Sequence, residues 1–333
     1  MTMIKNPDLD IPPLWENAAN RIVSNRWRKI LVMGGIDRGK STFCKYLAGV
    51  ILESGYEVAV VDADVGQKDI GPPATITLGY PTLIGSFEDI EPTAMYFVGS
   101  VTPEGHLLPM VVGTKKMVEI VKTNFVIINT TGLIHQAGRV LKGYKIELIK
   151  PDVIVAIEKS HELKTIMRQY RNHRIIRLEP SNKAVSKNLD QRRERREKAF
   201  SRYFRSAVEV NLNLRELIFQ RTLLFTGKRI EREDCMYSEL TSEGVVSVSK
   251  NSPQSTGFQK NIVAGFEKNL LCGLANWRNH CVGIGIINSI DFSEGVLRVV
   301  TPVDKEKIRI IQPGEIYLEP SGREIGRMKP GSL

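Results

Sequence analysis

The sequence lacks the features that place a protein in a membrane or in an oxidising compartment. It has no unbroken apolar run approaching the roughly 20 residues of a membrane-spanning helix. Its first residues lack the apolar middle segment of a secretory signal peptide. The 4 cysteines lie far apart without a Cys-x-x-Cys pair, which argues against a disulfide framework and a zinc site. We therefore expect a cytoplasmic protein without a membrane partner.

Acidic residues are the minority charge. The chain has 47 Lys and Arg against 37 Asp and Glu, a formal net charge of +10. Nine of these cations, with only three acids, fall between Lys183 and Arg205. An excess of this kind favours a polyanionic partner, most often nucleic acid, with general solubility as the alternative. The length of 333 residues allows two domains, each with its own core.

A glycine-rich segment directly follows the first strongly apolar run. The run Lys29–Met33 predicts a strand, and the pattern Gly-x-x-x-x-Gly-Lys-Ser after it opens a predicted helix. Backbone N–H groups and the helix dipole would converge there on the phosphates of a nucleotide. We expect Lys40 to reach the β- and γ-phosphates and Ser41 to bind Mg²⁺. A chance turn is the alternative. The loop residues are Gly34, Gly35, Ile36, Asp37, Arg38, Gly39, Lys40, Ser41 and Thr42.

Two aspartates follow the second predicted strand. The apolar run 58–61 leads directly into Asp62 and Asp64, which side-chain alternation places on one side of the extended chain. One carboxylate at this point would lie near Mg²⁺, and the other would accept a proton from an attacking hydroxyl. We expect Asp64 to be the base, with Asp62 as second choice and metal ligand. The alternative is that one aspartate merely caps a turn.

Short β-branched runs alternate with helical patterns as far as residue 178. After about residue 211 the sequence contains mostly short predicted strands separated by turn residues. This predicts an α/β fold of the P-loop NTPase type, a mostly parallel sheet flanked by helices, with a smaller C-terminal β-rich domain, a barrel or a sandwich. We expect an N-terminal packing helix in 1–27, a P-loop domain in 28–212 and a β-rich domain in 213–333. The predicted strands are Lys29–Met33, Glu57–Val61, Ala94–Val98, Asn124–Ile128, Val153–Ile157, Arg174–Leu178, Arg221–Thr226, Gly244–Ser249, Cys281–Ile287, Gly295–Val300 and Lys307–Ile311. The predicted helices are Lys40–Ser54, Gly113–Lys122, Arg139–Lys150 and His161–Tyr170.

Several motifs together make the sequence resemble a known family. They are the glycine-rich loop, Asp62-x-Asp64-x-Gly66-Gln67, Gly71-Pro72-Pro73, Asn129-Thr130-Thr131-Gly132, and Arg192-x-x-x-Arg196 before Arg202-Tyr203-Phe204. This combination is similar to the polynucleotide 5′-hydroxyl kinases of mRNA cleavage and polyadenylation, tRNA splicing and ribosomal-RNA processing, in their compact archaeal form. The likeness covers nearly the whole chain.

The resemblance implies transfer of a phosphate from ATP, with Mg²⁺, to the 5′-hydroxyl end of RNA, and leaves DNA open. It implies a basic lid at about 183–205, in which Arg192 and Arg196 close over the phosphates while Arg193 and Arg195 contact the RNA backbone. The alternative is a solvated surface helix in which Glu194 and Glu197 partly pair with the arginines. The implied catalytic residues are Lys40, Asp64, Arg192 and Arg196. The implied metal ligands are Ser41 and Asp62. The residues implied beside the substrate are Asp62, Gln67, Thr130, Thr131 and Gly132.

The chain departs from this family at two points. Leu133 stands where some members have a tryptophan, so base stacking there is not expected, and the separate N-terminal β domain of eukaryotic members has no counterpart, which leaves protein partners unknown. Two other functions stay open: a regulatory P-loop ATPase and a non-catalytic, ATP-bound scaffold. No Asn-Lys-x-Asp guanine-recognition motif is present. The segment Trp277–His280 mixes aromatic and basic character, which fits either a nucleic-acid platform or core packing.

Overall fold

The computed structural model describes residues 10–82, 86–250 and 259–328. The chain divides into two compact units, Met1–Arg196 and Glu197–Leu333. Strand β8 (Val208–Asn213) belongs to the second unit, where it pairs antiparallel with β16 (Val296–Thr301).

The first unit alternates strands with helices. Its helices are α1 Pro13–Ser24, α2 Lys40–Glu53, α3 Leu107–Glu119, α4 Ala137–Ile149 and α5 Lys164–Gln169, and α6 Leu189–Phe204 begins in it. Its strands are β1 Lys29–Gly34, β2 Val58–Ala63, β3 Thr75–Gly79, β4 Ala94–Phe97, β5 Phe125–Thr130, β6 Val153–Ile157 and β7 Ile175–Leu178. A 3₁₀ turn covers Phe87–Asp89.

Five of these strands form a parallel sheet in the order β2-β5-β1-β6-β7. Strands β3 and β4 continue it antiparallel beyond β2. Each sheet face has its own hydrophobic core, because residues alternate along a strand: Leu31 faces one core and Val32 the other. Helices α1 and α2 cover one face, and α3, α4 and α5 cover the other. The predicted α/β fold is confirmed.

Helix α1 covers the start of α2. Trp15 is fully buried, and its ring packs edge-on against Phe43 with centroids 5.3 Å apart. The Trp15 indole N–H donates to the carbonyl of Glu179 at 2.8 Å, so the polar atom of this buried ring is satisfied. Because Phe43 lies in the first turn of α2, this packing fixes the beginning of that helix.

The second unit is all-β after α6. Its strands are β8, β9 Ile218–Phe219, β10 Lys228–Arg229, β11 Cys235–Thr241, β12 Gly244–Ser249, β13 Gln259–Val263, β14 Leu270–Ala275, β15 Cys281–Asp291, β16, β17 Ile310–Leu318 and β18 Glu324–Arg327. The 3₁₀ turns are Leu214–Glu216 and Lys305–Lys307. The sheet β10-β11-β12-β13 shares one core with the strands around β15, since Val248 and Leu274 lie in the same cluster. The predicted β-rich C-terminal part is confirmed.

One predicted strand was wrong, and several strands, β3 among them, were not predicted. The segment 221–226 is a turn, because Arg221 and Phe225 have positive φ and the buried Glu239 carboxylate accepts the backbone N–H of Phe225 at 2.7 Å. The backbone N–H of Phe225 therefore donates to a side chain instead of to a neighbouring strand. Strand β3 was not predicted, because its two buried threonines read as polar. Their hydroxyls are satisfied locally: Thr77 donates to the carbonyl of Ile70 at 2.7 Å.

Candidate active site

The glycine-rich loop lies between the end of β1 and the beginning of α2, at the carboxyl edge of the parallel strands. Gly39 precedes the first helical residue with φ +81, and a Cβ there would meet the Trp15 ring at 3.0 Å. A Cβ on Gly34 would strike the carbonyl oxygen of Ile157. The loop can therefore take this path only with glycine at both positions. The N-terminal N–H groups of α2 have no partner within the helix and are directed toward the loop.

Lys40 extends back across the loop. The residue is 7% exposed, and its Nζ donates to the carbonyl of Gly35 at 2.7 Å. Burial lowers the pKa of Lys40, and the negative charge of Asp64 opposes that shift. The ammonium group is thus held over the loop and close to a carboxylate, where an anionic ligand would strengthen its charged form.

Arg38 supports the loop. Its Nε and terminal nitrogen donate to the two oxygens of Glu162 at 2.8 and 2.7 Å. The same carboxylate accepts the backbone N–H of Gly35 at 3.3 Å. Burial opposes ionisation of Glu162, but these hydrogen bonds and the Arg38 charge lower its pKa. Arg38 and Glu162 therefore act as a brace for the loop backbone, and Glu162 was not found by the sequence analysis.

Ser41 and Asp62 are brought together by a third residue. The Asn129 side-chain amide donates to Ser41 Oγ and to Asp62 Oδ1, both at 3.3 Å. Ser41 lies in the first turn of α2, and Asp62 and Asn129 are each the next-to-last residue of their strands, β2 and β5, so three neighbouring elements supply one oxygen cluster. Oxygen atoms in this arrangement suit Mg²⁺, which binds few protein ligands directly.

Asp64 follows β2 in a tight turn. Its Oδ1 accepts the backbone N–H groups of Gly66 at 3.1 Å and Gln67 at 3.0 Å. Burial raises the pKa of Asp64; the Lys40 charge lowers it, and the Asp62 charge raises it. A carboxylate with a raised pKa accepts a proton more readily than an exposed one. Asp64 also caps this turn, because its Oδ1 accepts both backbone N–H groups.

The segment 130–132 contacts the loop at its glycine. Thr130 is fully buried and its hydroxyl donates to the carbonyl of Val32 at 2.8 Å, so this side chain is used inside the sheet. Thr131 Oγ1 is buried without a hydrogen-bond partner among the described residues. A Cβ on Gly132 would meet the backbone N and Cα of Ile36 at 2.9 and 2.8 Å. Of these predicted substrate residues, Gly132 contacts the loop, whereas the Thr130 hydroxyl is used inside the sheet.

The beginning of α6 is tied to the loop through carboxylates. Arg192 pairs with Asp37 at 2.6 Å, and Asp37 also accepts the backbone N–H of Lys187 at 2.8 Å. The Gln67 amide donates to the backbone carbonyl of Arg192 at 3.2 Å. Arg196 lies one helical turn after Arg192 and is half-buried. These contacts bring Asp37, Gln67 and Arg192 together.

Arg195 also belongs to this site. It pairs with Asp69 at 2.8 Å, and Lys45 pairs with the same carboxylate at 3.0 Å. Burial favours the neutral form of Asp69, but these two cations hold its pKa below the usual value. The expected RNA-backbone contact of Arg195 would therefore compete with a buried ion pair. Asp69 was not found by the sequence analysis.

Two buried lysines of α4 support the site from behind. Lys142 is 0% and Lys145 is 1% exposed, and they lie three residues apart on one helix face. Lys142 Nζ donates to the carbonyl of Thr131 at 2.6 Å. Lys145 Nζ has no hydrogen-bond partner among the described residues. Burial lowers the pKa of Lys145 to about 7; Asp64 opposes the shift, and Lys68 adds to it.

Comparisons with known proteins identify the family of the chain. The family model for the mRNA cleavage and polyadenylation factor CLP1 P-loop matches residues 34–206. The chain belongs to this family. It is 37% identical to a polyribonucleotide 5′-hydroxyl-kinase of Pyrococcus furiosus, with 95% of each chain covered. It is 36% identical to one of Methanocaldococcus jannaschii, with 92% of this chain and 91% of the relative covered.

A solved structure shares the fold. The chain aligns with Clp1p in a Clp1p–Pcf11p complex with a TM-score of 0.63 and 12% identity, over 90% of this chain and 78% of that one. The described helices include none long and apolar enough to cross a bilayer. Across residues 10–82, 86–250 and 259–328, no three His, Cys, Asp or Glu side chains group in a way that would bind a metal.

The site fits a nucleoside triphosphate with Mg²⁺. Five buried polar atoms at this end of the sheet have no hydrogen-bond partner in the part of the chain that the structure describes. They are Gln67 Oε1, Asp69 Oδ2, Asn129 Oδ1, Thr131 Oγ1 and Arg192 Nε. Buried polar groups are nearly always paired, so such a cluster indicates a polar ligand. The donor set of helix N–H groups, Lys40 and arginine suits phosphates, and the Ser41–Asp62 oxygens suit Mg²⁺.

Replacing Lys145 with methionine tests the buried amine. The amine has a pKa of about 7 in the folded protein against 10.5 when unperturbed, so the unfolded chain binds more protons between these values and stability rises with pH there. We expect Lys145→Met to stabilise the fold at pH 7 by about 2 to 4 kcal/mol and to flatten the rise toward pH 10. Urea denaturation at both pH values measures this.

The exposed Lys164 on α5 provides the matched control. Lys164→Met makes the same chemical change outside the core and should alter the unfolding free energy by less than about 0.5 kcal/mol. If Lys145→Met destabilised the protein at pH 7, the amine would have to be charged and paired in the core.

Proposed function

We propose that this protein is a polynucleotide 5′-hydroxyl kinase, which transfers the γ-phosphate of ATP to the 5′-hydroxyl end of RNA. The observation that carries the proposal is the glycine-rich loop, over which Lys40 is held within the influence of the Asp64 charge and to which Arg192 is tied by its ion pair with Asp37. Support comes from two relatives, 37% and 36% identical over nearly their whole length, that are named for this activity.

The donor side of the reaction uses the loop and its lysine. Backbone N–H groups at the start of α2 bind phosphate oxygens, and Thr42 contributes its hydroxyl there. Lys40 exchanges the carbonyl of Gly35 for oxygens of the transferred phosphate. Phosphoryl transfer needs alignment and charge neutralisation more than covalent help, and a fixed ammonium group supplies both.

Mg²⁺ belongs to the oxygen cluster at the end of β2. Ser41 would bind it directly, and Asp62 would do so directly or through water, with Asn129 holding both side chains in place. When bound, the ion neutralises charge on the β- and γ-phosphates and fixes their orientation. Both oxygens of Asp62 already accept hydrogen bonds from the protein, which limits the use of Asp62 as a base.

The acceptor side uses Asp64. The oxygen of Asp64 that makes no turn hydrogen bond accepts the proton of the attacking 5′-hydroxyl, and the Gly66 and Gln67 N–H groups hold the carboxylate in position. Gln67, Thr131 and Gly132 lie beside the incoming nucleotide. The unpartnered oxygens of Gln67 and Thr131 give that nucleotide two hydrogen-bonding sites.

The basic lid supplies positive charge from the other side. Arg192 has a buried Nε without a partner among the described residues, so its guanidinium can bind phosphate while still contacting Asp37. Arginine offers forked donors that match the oxygens of a transferring phosphoryl group. Arg196, one turn further along α6, is the second arginine of the lid.

Removing the base tests the mechanism. We expect Asp64→Asn to lower kcat for transfer to a 5′-hydroxyl RNA by about 10² to 10⁴, because no group then accepts the proton. Lys40→Ala should abolish transfer. The measurement is movement of label from γ-labelled ATP to the oligonucleotide.

Asp152→Asn is the matched control. The Asp152 carboxylate also accepts two backbone N–H groups, from Arg28 at 2.8 Å and Lys29 at 2.9 Å, but at the opposite end of β1. Asp152→Asn should lower the stability of the fold but leave phosphate transfer to the oligonucleotide unchanged. Wild-type protein that releases label only as free phosphate would instead be an ATPase, and one that binds ATP without any turnover would be a scaffold.

Replacing Arg192 distinguishes a role in phosphate transfer from a role in RNA binding. Arg192→Ala should lower kcat about 10³-fold or more while RNA affinity changes little, since the guanidinium neutralises charge in the transition state. Steady-state kinetics and equilibrium RNA binding measure the two effects. Arg193→Ala, the same charge change on an exposed neighbour, should instead weaken RNA binding in a salt-dependent way. Loss of RNA affinity alone in Arg192→Ala would refute its lid role.

A further inference from the structure

The hairpin between β14 and β15 exposes a large aromatic ring. Trp277 is 64% exposed at the tip of this turn, whereas Trp15 is fully buried and Trp27 is half-buried. The alternative of core packing for Trp277 is therefore wrong. A solvated indole contributes little to folding, and tryptophan is enriched where one side chain must bind a partner.

The tip that carries this ring is firmly built. The Asn276 side-chain oxygen accepts the backbone N–H groups of Arg278 at 2.9 Å and His280 at 3.1 Å. Asn279 takes a positive φ of 58°, and its side-chain oxygen accepts from Gln220 at 2.8 Å. Because the turn is already ordered, a ligand that stacks on Trp277 loses little further entropy in ordering it.

The surroundings of the ring are basic. The Arg309 guanidinium lies 5.8 Å from the Trp277 ring centroid. Backbone hydrogen bonds from Arg309 to Ala275 and from Ile218 to Arg309, both 2.9 Å, bring three segments together here: 217–222, 275–281 and 307–312. None of the three contains Asp or Glu; the nearest acids along the chain are Glu216 and Glu306. Their basic residues are Arg221, Arg278, His280, Lys307 and Arg309.

We propose that Trp277 is a stacking platform for one base of single-stranded RNA, with Arg278 and Arg309 binding the adjoining phosphates. This rests on the proposed function in one respect, the choice of RNA as the polyanion. An exposed ring, an arginine over that ring and further basic side chains in the neighbouring segments are the combination that binds single strands without sequence preference. The amides of Gln220, Asn276 and Asn279 offer polar contacts beside it.

Binding of a 3′-labelled, single-stranded RNA 12-mer, followed by fluorescence anisotropy without ATP, tests the platform. Trp277→Ala should weaken binding about 5- to 100-fold, and Trp277→Phe should lose less because a ring remains. An abasic oligonucleotide of the same length, which offers phosphates alone, should bind both wild type and Trp277→Ala equally. Unchanged RNA affinity in Trp277→Ala overturns the proposal.

Tryptophan fluorescence gives a second readout with a matched control. The RNA 12-mer should quench the emission of wild type and of Trp27→Phe, but not of Trp277→Phe, since only the exposed indole stacks. Trp27 is a fair control because an arginine, Arg174, also lies over its ring, at 4.5 Å. The proposal would be refuted if the RNA still quenched the tryptophan emission of Trp277→Phe, or if an acidic peptide quenched the emission of wild type and RNA did not.

The failure of the platform and the failure of the kinase assignment are distinguishable. Wild-type protein that phosphorylates 5′-hydroxyl RNA while Trp277→Ala binds it as well as wild type contradicts the platform alone. Wild-type protein that binds RNA through Trp277 but never transfers phosphate contradicts the kinase assignment alone.

Discussion

The buried carboxylate of Asp62 organises the active-site edge of the sheet. Its Oδ2 accepts the backbone N–H groups of Asp69 at 2.9 Å and Ile70 at 3.2 Å, and Lys68 Nζ lies 3.4 Å away. Its Oδ1 accepts from the Asp64 backbone and from Asn129. A single side chain at 1% exposure thereby fixes the loop that carries Asp64, Gln67 and Asp69. Without a charged acceptor there, several buried N–H groups would lose their partner, which is costly.

The same region concentrates buried positive charge. Lys40, Lys68, Lys142 and Lys145 are all at most 7% exposed, against the nearby carboxylates of Asp62 and Asp64. Burial is the largest cause that lowers the pKa of each lysine, and neighbouring lysines add to the shift at Lys142 and Lys145. An excess of buried ammonium groups destabilises the fold.

What the sequence predicted correctly was local. The glycine-rich loop and the two aspartates follow their strands directly, so spacing alone placed them. Glu162 could not be found in this way, because it lies 124 residues from Arg38 and only the fold joins them. Lys142 and Lys145 sit in a helical pattern where lysine normally indicates a solvated face. Asn129 belongs to one of the recognised motifs, but an asparagine in a sequence does not by itself indicate a function. Its role in holding Ser41 and Asp62 becomes visible only in the fold, where its amide donates to both side chains.

Asp37 connects the loop to the lid through its charge. A carboxylate within a phosphate-binding loop would repel the ligand unless a cation neutralised it, and Arg192 does so at 2.6 Å. Burial disfavours the Asp37 charge, yet the Lys187 N–H and Arg192 lower its pKa, so the ion pair is stable at neutral pH. The arginine is thus held beside the glycine-rich loop. Asp69 holds Arg195 in the same way. In the proposed mechanism, phosphate oxygens must compete with these two carboxylates for the guanidinium donors, and that competition would determine how readily Arg192 and Arg195 bind a nucleotide.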